Sequence, residues 1–171
     1  MEKKVTTPAV KGIIISLILI VFALTIQFLN LSQNKSLGGL QFVILIAGII
    51  WSCISYAKQL DGNVTFGNVF SHGFKTSAAV TAIMVVYTII SIKFIFPEAL
   101  DMAMREARTN MESKNMSDDQ IETAINFTKK FFIPLTAGGI LLVFLIAGVI
   151  GSLIGAATAK KNPEGPFVQQ A

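Results

Sequence analysis

Four long runs of hydrophobic residues, separated by short polar segments, dominate the pattern of this chain. They predict helices over about 12–30, 40–57, 74–96 and 132–159. A helix needs roughly 17–25 mostly apolar residues to cross the hydrocarbon core of a bilayer, and each run meets that length. The pattern therefore predicts an all-α integral membrane bundle of four transmembrane helices, with residues 1–171 as a single membrane domain.

The first run also has the outline of a secretory signal peptide, because Lys3, Lys4 and Lys11 precede it. Its apolar core exceeds the usual 7–15 residues, however, and no Ala-x-Ala cleavage site follows. Thr7 and Pro8 suit the N-cap and first position of a helix. These features favour an uncleaved first helix.

The fourth run is too long for an upright span. Phe131–Ala159 would extend about 43 Å as a helix. We expect it to tilt, to protrude, or to break near Pro134 or Gly138–Gly139.

The segment 97–130 is the only sizeable polar stretch, and its pattern predicts an amphipathic helical hairpin outside the membrane. Pro97 can start the first helix. Ser117 can cap the second, with Gln120 at the capping-box spacing. The predicted inner faces follow the helical period and consist of Leu100, Ala103, Met104, Ala107 and Met111, then Ile121, Ala124, Ile125, Thr128 and Phe132.

Residues 45–57 and 145–157 are identical at eight of thirteen positions. A weaker sequence similarity relates residues 26–29 to residues 92–95. These matches predict two related hairpins, a parallel internal repeat. The alternative is chance similarity between segments rich in Ile, Leu, Ala and Gly.

Composition supports lipid as the surroundings of this chain. Apolar residues make up 53% and charged residues 14%, against about 25% charged in soluble domains, and mean hydropathy is +0.65. The pI of about 9.3 invites a nucleic-acid partner. The basic residues, however, mostly flank the hydrophobic runs singly or in pairs, where they suit anionic headgroups. We therefore predict the lipid bilayer as partner and no nucleic acid.

Orientation rests on lysine density, because an N-in topology places seven basic residues on each side. Three of them lie in the first eleven residues, tight against the first helix, and such charges usually dominate. We predict that both termini are cytoplasmic, in the inner membrane of a bacterium.

Small residues mark predicted contacts between helices. Small side chains let two helices approach closely, which drives association in lipid. The face would serve packing within one bundle or, alternatively, a homodimer or an unidentified membrane partner. The predicted helix-packing residues are Ala147, Gly151, Gly155, Ala159, Gly48, Ser52, Gly73 and Ser77.

The connection between the second and third runs forms a predicted interfacial motif. Asp61–Gly62 suits a turn, and Thr65 can cap the helix that follows. An aromatic stripe would then enter the membrane obliquely with its rings at the interface. Its members are Phe66, Val69, Phe70, Gly73 and Phe74. His72, Gln27 and Asn30 are interpreted as polar residues of the interface.

No catalytic, cofactor or metal site is predicted. The chain has one His and one Cys, and it contains no His-Glu-x-x-His, Gly-x-Ser-x-Gly or phosphate-binding glycine loop. Cys53 can form no disulfide within the chain. The expected function is therefore non-enzymatic.

The segment from Asp61 to Phe74, DGNVTFGNVFSHGF, resembles a turn-and-helix signature of the bacterial membrane family called domain of unknown function 4199, common in Bacteroidetes. Phe96–Pro97 and the stretch from Met116 to Ile121 resemble it too. The resemblance implies a four-helix inner-membrane protein and no activity. We expect a small scaffold or accessory subunit, and the alternative is an oligomeric conduit or small-solute transporter.

Overall fold

A computed structural model describes residues 5–29, 31 and 35–162, and in these residues the protein is helical without strands. A π-helical turn, Ser91–Ile95, follows the third helix directly. The α-helices are α1 (Pro8–Phe28), α2 (Lys35–Gln59), α3 (Phe66–Ile90), α4 (Glu98–Glu112) and α5 (Asp118–Thr158). Four of them, α1, α2, α3 and α5, are long and apolar enough to cross a membrane.

The helix starts follow from capping residues near the sequence-predicted positions. The Thr7 hydroxyl accepts from the Val10 amide at 3.4 Å, with Pro8 in the first turn, so this predicted cap is confirmed. Thr65 accepts from the Asn68 amide at 3.2 Å. Helix α3 therefore begins directly after the predicted Thr65 cap, eight residues before the predicted span 74–96.

Helix α5 is continuous over 41 residues and includes Pro134. The second arm of the predicted hairpin and the fourth predicted span are one helix, and of the three alternatives considered for the fourth run, a break near Pro134 or Gly138–Gly139 does not occur. Proline removes one backbone donor, but the residues around it keep their hydrogen bonds when no competing water is present. At 1.5 Å per residue α5 is about 62 Å long, roughly twice a hydrocarbon core.

The chain divides into two compact units, of which the first comprises residues up to 84 together with those from 142 onward. Its helix ends are tied together by hydrogen bonds. Thr6 and Gln59 bond reciprocally at 3.0 Å, and the Asn162 amide donates to the Gly62 carbonyl at 2.8 Å. Helices α1 and α3 therefore start, and α2 and α5 end, at one end of this unit. Its fully buried apolar side chains include Leu19, Leu45, Ile49, Val69 and Val80.

The second unit, residues 85–141, contains the π-turn, α4 and the first part of α5. The Phe96 amide closes the π-turn on the Ser91 carbonyl at 2.8 Å. The Ser117 amide donates to Gln120 Oε1 at 3.2 Å, which is one of the two bonds of the predicted capping box. The predicted inner faces are shielded, with Ile121 buried and the other described members half-buried.

Candidate functional site

Within the first unit, α5 packs on α2 through the predicted small-residue face. A methyl carbon added at Gly155 would lie 2.6 Å from Cys53 Cβ and 3.2 Å from Ile50 Cα. One added at Gly151 would lie 3.2 Å from Ile49 Cβ. Ala147 and Ala159 are also buried. This face is therefore occupied by the chain's own second helix.

A second line of small residues faces α3, and the sequence analysis did not single it out. Gly148 lies so close to Ser77 that a side chain there would collide with the Ser77 hydroxyl. The interior side of Gly73 is filled by Cys53 and Ser152, with Ser152 Cβ at 3.1 Å from the position of an added methyl. The spacing of Gly148 and Ser152, four residues apart, is the signal that could have revealed this line.

The two glycines matched by the internal repeat occupy similar settings. Gly48 faces Ile15 of α1, whose Cγ atoms would lie 3.1 Å from an added methyl, and Gly148 faces Ser77 of α3. Each repeated glycine thus packs against the preceding span. The duplication itself stays a prediction.

A buried polar contact joins α1, α2 and α3. The Ser52 and Thr76 hydroxyls are 3.1 Å apart, and both side chains are fully buried. Beside them, Lys11 Nζ donates to the Ser52 carbonyl at 3.1 Å. Lys11 is only 1% exposed, so its interpretation as a base flanking the first helix is wrong: it lies inside the bundle on the face of Ile15 and Leu19.

His72 is likewise buried at 5% exposure, which corrects its interpretation as an interfacial surface residue. Its imidazole stacks on the Tyr56 ring, with centroids 4.1 Å apart and planes 15° from parallel. Its Nε2 has no hydrogen-bond partner. Lys11 Nζ lies 6.0 Å from the Tyr56 ring centroid on a cation–π contact. We call Lys11, Tyr56 and His72 the buried cation cluster.

The electrostatics of the buried cation cluster are unbalanced. Lys11 makes one hydrogen bond and one ring contact, and no carboxylate of the described residues pairs with it. An ammonium has three donors, and burying a charge without a counter-ion costs several kcal/mol. Ionisable groups placed inside a membrane bundle usually mark a functional site. The arrangement can stabilise a negative charge.

Cys53 belongs to the packing of the bundle and not to a reactive site. Its thiol is buried between Gly73 and Gly155 and lies 3.7 Å from the Val69 carbonyl. Among the described residues no three His, Cys, Asp or Glu side chains come together as metal ligands.

The predicted Asp61–Gly62 turn is present. Both residues have positive φ, 53° and 76°, and the Gly62 amide donates to the Ala57 carbonyl at 2.9 Å. A methyl at Gly62 would lie 2.9 Å from the Asn162 amide nitrogen, so glycine is required both by conformation and by space. The turn borders a cavity of about 410 Å³ whose lining includes Ile54, Ala57, Lys58, Lys160 and Lys161.

The predicted aromatic stripe divides between two faces of α3. Phe66, Phe70 and Phe74 stack in sequence, with centroids 6.4 and 6.3 Å apart, and the rings of Phe66 and Phe74 are exposed. Val69 and Gly73 face the interior. Gln27 is half-buried, and Asn30 lies outside the described residues.

Comparison with known proteins identifies a family but no characterised relative. No curated protein and no solved structure matches the chain. The family model described as "Protein of unknown function (DUF4199)" matches residues 11–161, which include the buried cation cluster, the Asp61–Gly62 turn and both small-residue lines of α5. This match covers most of the chain, and the protein therefore belongs to the DUF4199 family.

Proposed function

We propose that this protein is a non-enzymatic scaffold or accessory subunit of a bacterial inner membrane, with both termini in the cytoplasm. The observation that carries the proposal is how its buried hydroxyls are used. Ser16, Thr76, Thr81 and Ser152 each donate to a carbonyl one turn earlier in their own helix, at 2.6–2.9 Å. Hydroxyls bonded in this way do not form the continuous polar lining that a conduit needs.

The distribution of charge supports the orientation. Lys58, Lys75, Lys160 and Lys161 all lie within a few turns of the end where α1 and α3 start and α2 and α5 end. Among the described residues at this end, Asp61 is the only acidic residue, so the lysines outnumber the carboxylates. Lysines concentrated next to spans are typical of the cytoplasmic side.

Cysteine labelling tests the orientation. In a Cys53→Ser background, we expect a membrane-impermeant maleimide to label Ser113→Cys on intact spheroplasts and to spare Gly67→Cys. Ser113 is exposed after α4, and Gly67 is exposed with its nearest outside atom at 3.9 Å from an added methyl, so both sites tolerate the change. After permeabilisation both should react. The opposite pattern in intact cells would reverse the topology.

A protein partner would have to use surfaces that the bundle leaves free. The small-residue lines of α5 are covered by α2 and α3, whereas Ile146, Ile150 and Leu153 on the same helix are exposed. The segment 98–130 holds seven of the ten acidic residues of the chain. An amphipathic, charged helical segment beside a membrane anchor suits a subunit that holds another protein.

Photocrosslinking in native membranes tests this role. A photoreactive amino acid replaces Met102, which is 41% exposed on α4, and in a matched variant it replaces Leu17, 56% exposed in the middle of α1. We expect the Met102 position to give discrete crosslinked protein bands that mass spectrometry identifies, and the Leu17 position to give lipid adducts. Only lipid adducts or self-crosslinks from both positions would contradict the accessory-subunit proposal.

The conduit remains the second candidate, and the buried cation cluster is the observation that favours it. A charged amine inside a bundle is typical of solute and ion pathways. Uptake or release of a solute by proteoliposomes, lost on Lys11→Met, would support a conduit over a scaffold.

A further inference from the structure

A polar cavity of about 300 Å³ opens beside the buried cation cluster. It is lined by Pro8, Tyr56, Asn68, Ser71, His72 and Lys75. Two of these residues, Tyr56 and His72, also form the ring pair that backs onto Lys11. The cavity lies within the first unit, at the starts of α1 and α3.

The charge around this cavity is positive. Lys75 lines it, and Lys11 lies behind the Tyr56 ring. None of the lining residues is acidic. The starts of α1 and α3 add the positive ends of two helix dipoles, which attract anions, against one negative end from α2 near Tyr56.

The second feature of this cavity is a buried side chain, His72, that does not use all its capacity for hydrogen bonds. His72 is more than nine-tenths buried and lines the cavity, and its Nε2, which is closed off from solvent, has no hydrogen-bond partner. Buried polar atoms without partners are rare and call for an explanation such as a missing ligand. Lys11 differs from His72, because its Nζ donates to the Ser52 carbonyl, but no carboxylate of the described residues pairs with it.

In the larger cavity near the Asp61–Gly62 turn, by contrast, other groups of the chain stabilise the lysine charges. Its lysines lie where α2 and α5 end, and free helix carbonyls carry negative charge there. Lys161 Nζ donates to the Ala156 carbonyl at 2.8 Å and lies 5.7 Å from the Phe66 ring centroid. Helix-end stabilisation explains this lysine, whereas no carboxylate of the described residues pairs with Lys11.

We propose that the cavity lined by Tyr56, Ser71, His72 and Lys75 binds a phosphate group. The Lys75 ammonium, the His72 imidazole and the Ser71 hydroxyl are its polar contacts, and buried Lys11 supplies a second positive charge from behind the ring pair. A volume of about 300 Å³ admits a phosphate monoester or a lipid headgroup. The site stands independently of the scaffold proposal.

Thermal unfolding of the full-length protein in non-ionic detergent tests the site. The probes are inorganic phosphate against chloride at matched ionic strength, and phosphatidylglycerol against phosphatidylcholine in mixed micelles. We expect phosphate, phosphatidylglycerol or both to raise the melting temperature relative to the matched control. A response to the lipid alone identifies a headgroup, and a response to free phosphate identifies a soluble ligand.

Three variants decide whether the response comes from this cavity. Lys75→Gln and His72→Phe should weaken the apparent affinity roughly 10-fold or more, because each removes a hydrogen bond to a charged group. Phenylalanine keeps the stacking on Tyr56. Lys58→Gln, an exposed lysine at the same end, should leave the affinity unchanged. The proposal is overturned if neither probe stabilises the protein, if Lys75→Gln and His72→Phe respond like wild type, or if Lys58→Gln loses the response equally.

Discussion

Replacing Gly155 or Gly148 with isoleucine is expected to destabilise the bundle more than any change on the outer surface of α5. At Gly155 even the first side-chain carbon would lie 2.6 Å from Cys53 Cβ, and Ile50 Cα on the α2 backbone is only 3.2 Å away. At Gly148 the new side chain would collide with Ser77 of α3. Neither the Ile50 backbone nor the Ser77 Cβ can rotate aside, so the helices must separate, at a cost of about 3 kcal/mol, the upper end of the usual range for overpacking.

The measurement is thermal aggregation in detergent, followed by fluorescence-detected size exclusion. A loss of that size corresponds to roughly 6 °C or more in melting temperature. The matched control is Gly139→Ile on the same helix, where an added methyl meets nothing within 4 Å. Ile150→Leu, on the exposed side, is a second control.

The elution volume distinguishes two explanations of a lower melting temperature: lost packing within one bundle, or lost packing between protomers. Lipid accommodates isoleucine well, so membrane insertion should be normal in all variants. A lower melting temperature at unchanged elution volume places the α5 seam within one bundle. A shift to a smaller species would place it between protomers, and glycine variants that melt like wild type would show that these contacts do not hold the bundle together.

Replacing Lys11 with methionine is expected to stabilise the ligand-free protein. Methionine has a similar length and no charge, so it fills the space beside Ile15 and removes the cost of a buried ammonium. The Ser52 carbonyl keeps its place in the hydrogen bonds of α2. Substitution of buried charges by apolar side chains has raised stability by about 1–4 kcal/mol elsewhere, which corresponds to several degrees in melting temperature.

The same variant should lose most of the response to phosphate or phosphatidylglycerol, so stability and binding should change in opposite directions. Lys11→Ala should instead lower the melting temperature, since it removes both the charge and the buried methylenes. Lys58→Met, at an exposed position, should change the stability by no more than about 0.5 kcal/mol. A Lys11→Met protein that melts below wild type would show that the ammonium is a stabilising part of the core.

Local signals in the sequence were sufficient to predict where several of the helices start. Thr7 and Thr65 lie next to helix starts, because a side-chain oxygen that accepts a backbone amide acts within a few residues. At Ser117 the side-chain oxygen of Gln120 accepts the Ser117 amide instead. The sequence did not predict that the second arm of the hairpin and the fourth span form one helix. Lys129 and Lys130 interrupt the apolar pattern at that point, but an interruption in hydropathy does not interrupt the hydrogen bonds of α5.

The buried cation cluster could not be predicted in the same way. Lys11 and His72 lie near helix ends, where a polar residue is usually interpreted as interfacial. Their burial depends on which face of each helix meets its neighbours. In lipid that face is the one with small and polar residues, since large apolar side chains need no burial. Gly12 and Ser16 mark it beside Lys11, and Gly73 and Thr76 mark it beside His72.

The π-turn at Ser91–Ile95 has a consequence for comparing this chain with its relatives. A π-turn accommodates one residue more than the corresponding α-turn. Deletion of a single residue there would restore regular α-helix and leave the direction of the downstream residues almost unchanged, whereas a deletion within regular α-helix would turn them by about 100°. Pro97 and α4 follow within three residues. An alignment gap of one residue at this point is therefore compatible with an unchanged direction of α4, whereas the same gap within α3 would re-aim everything that follows.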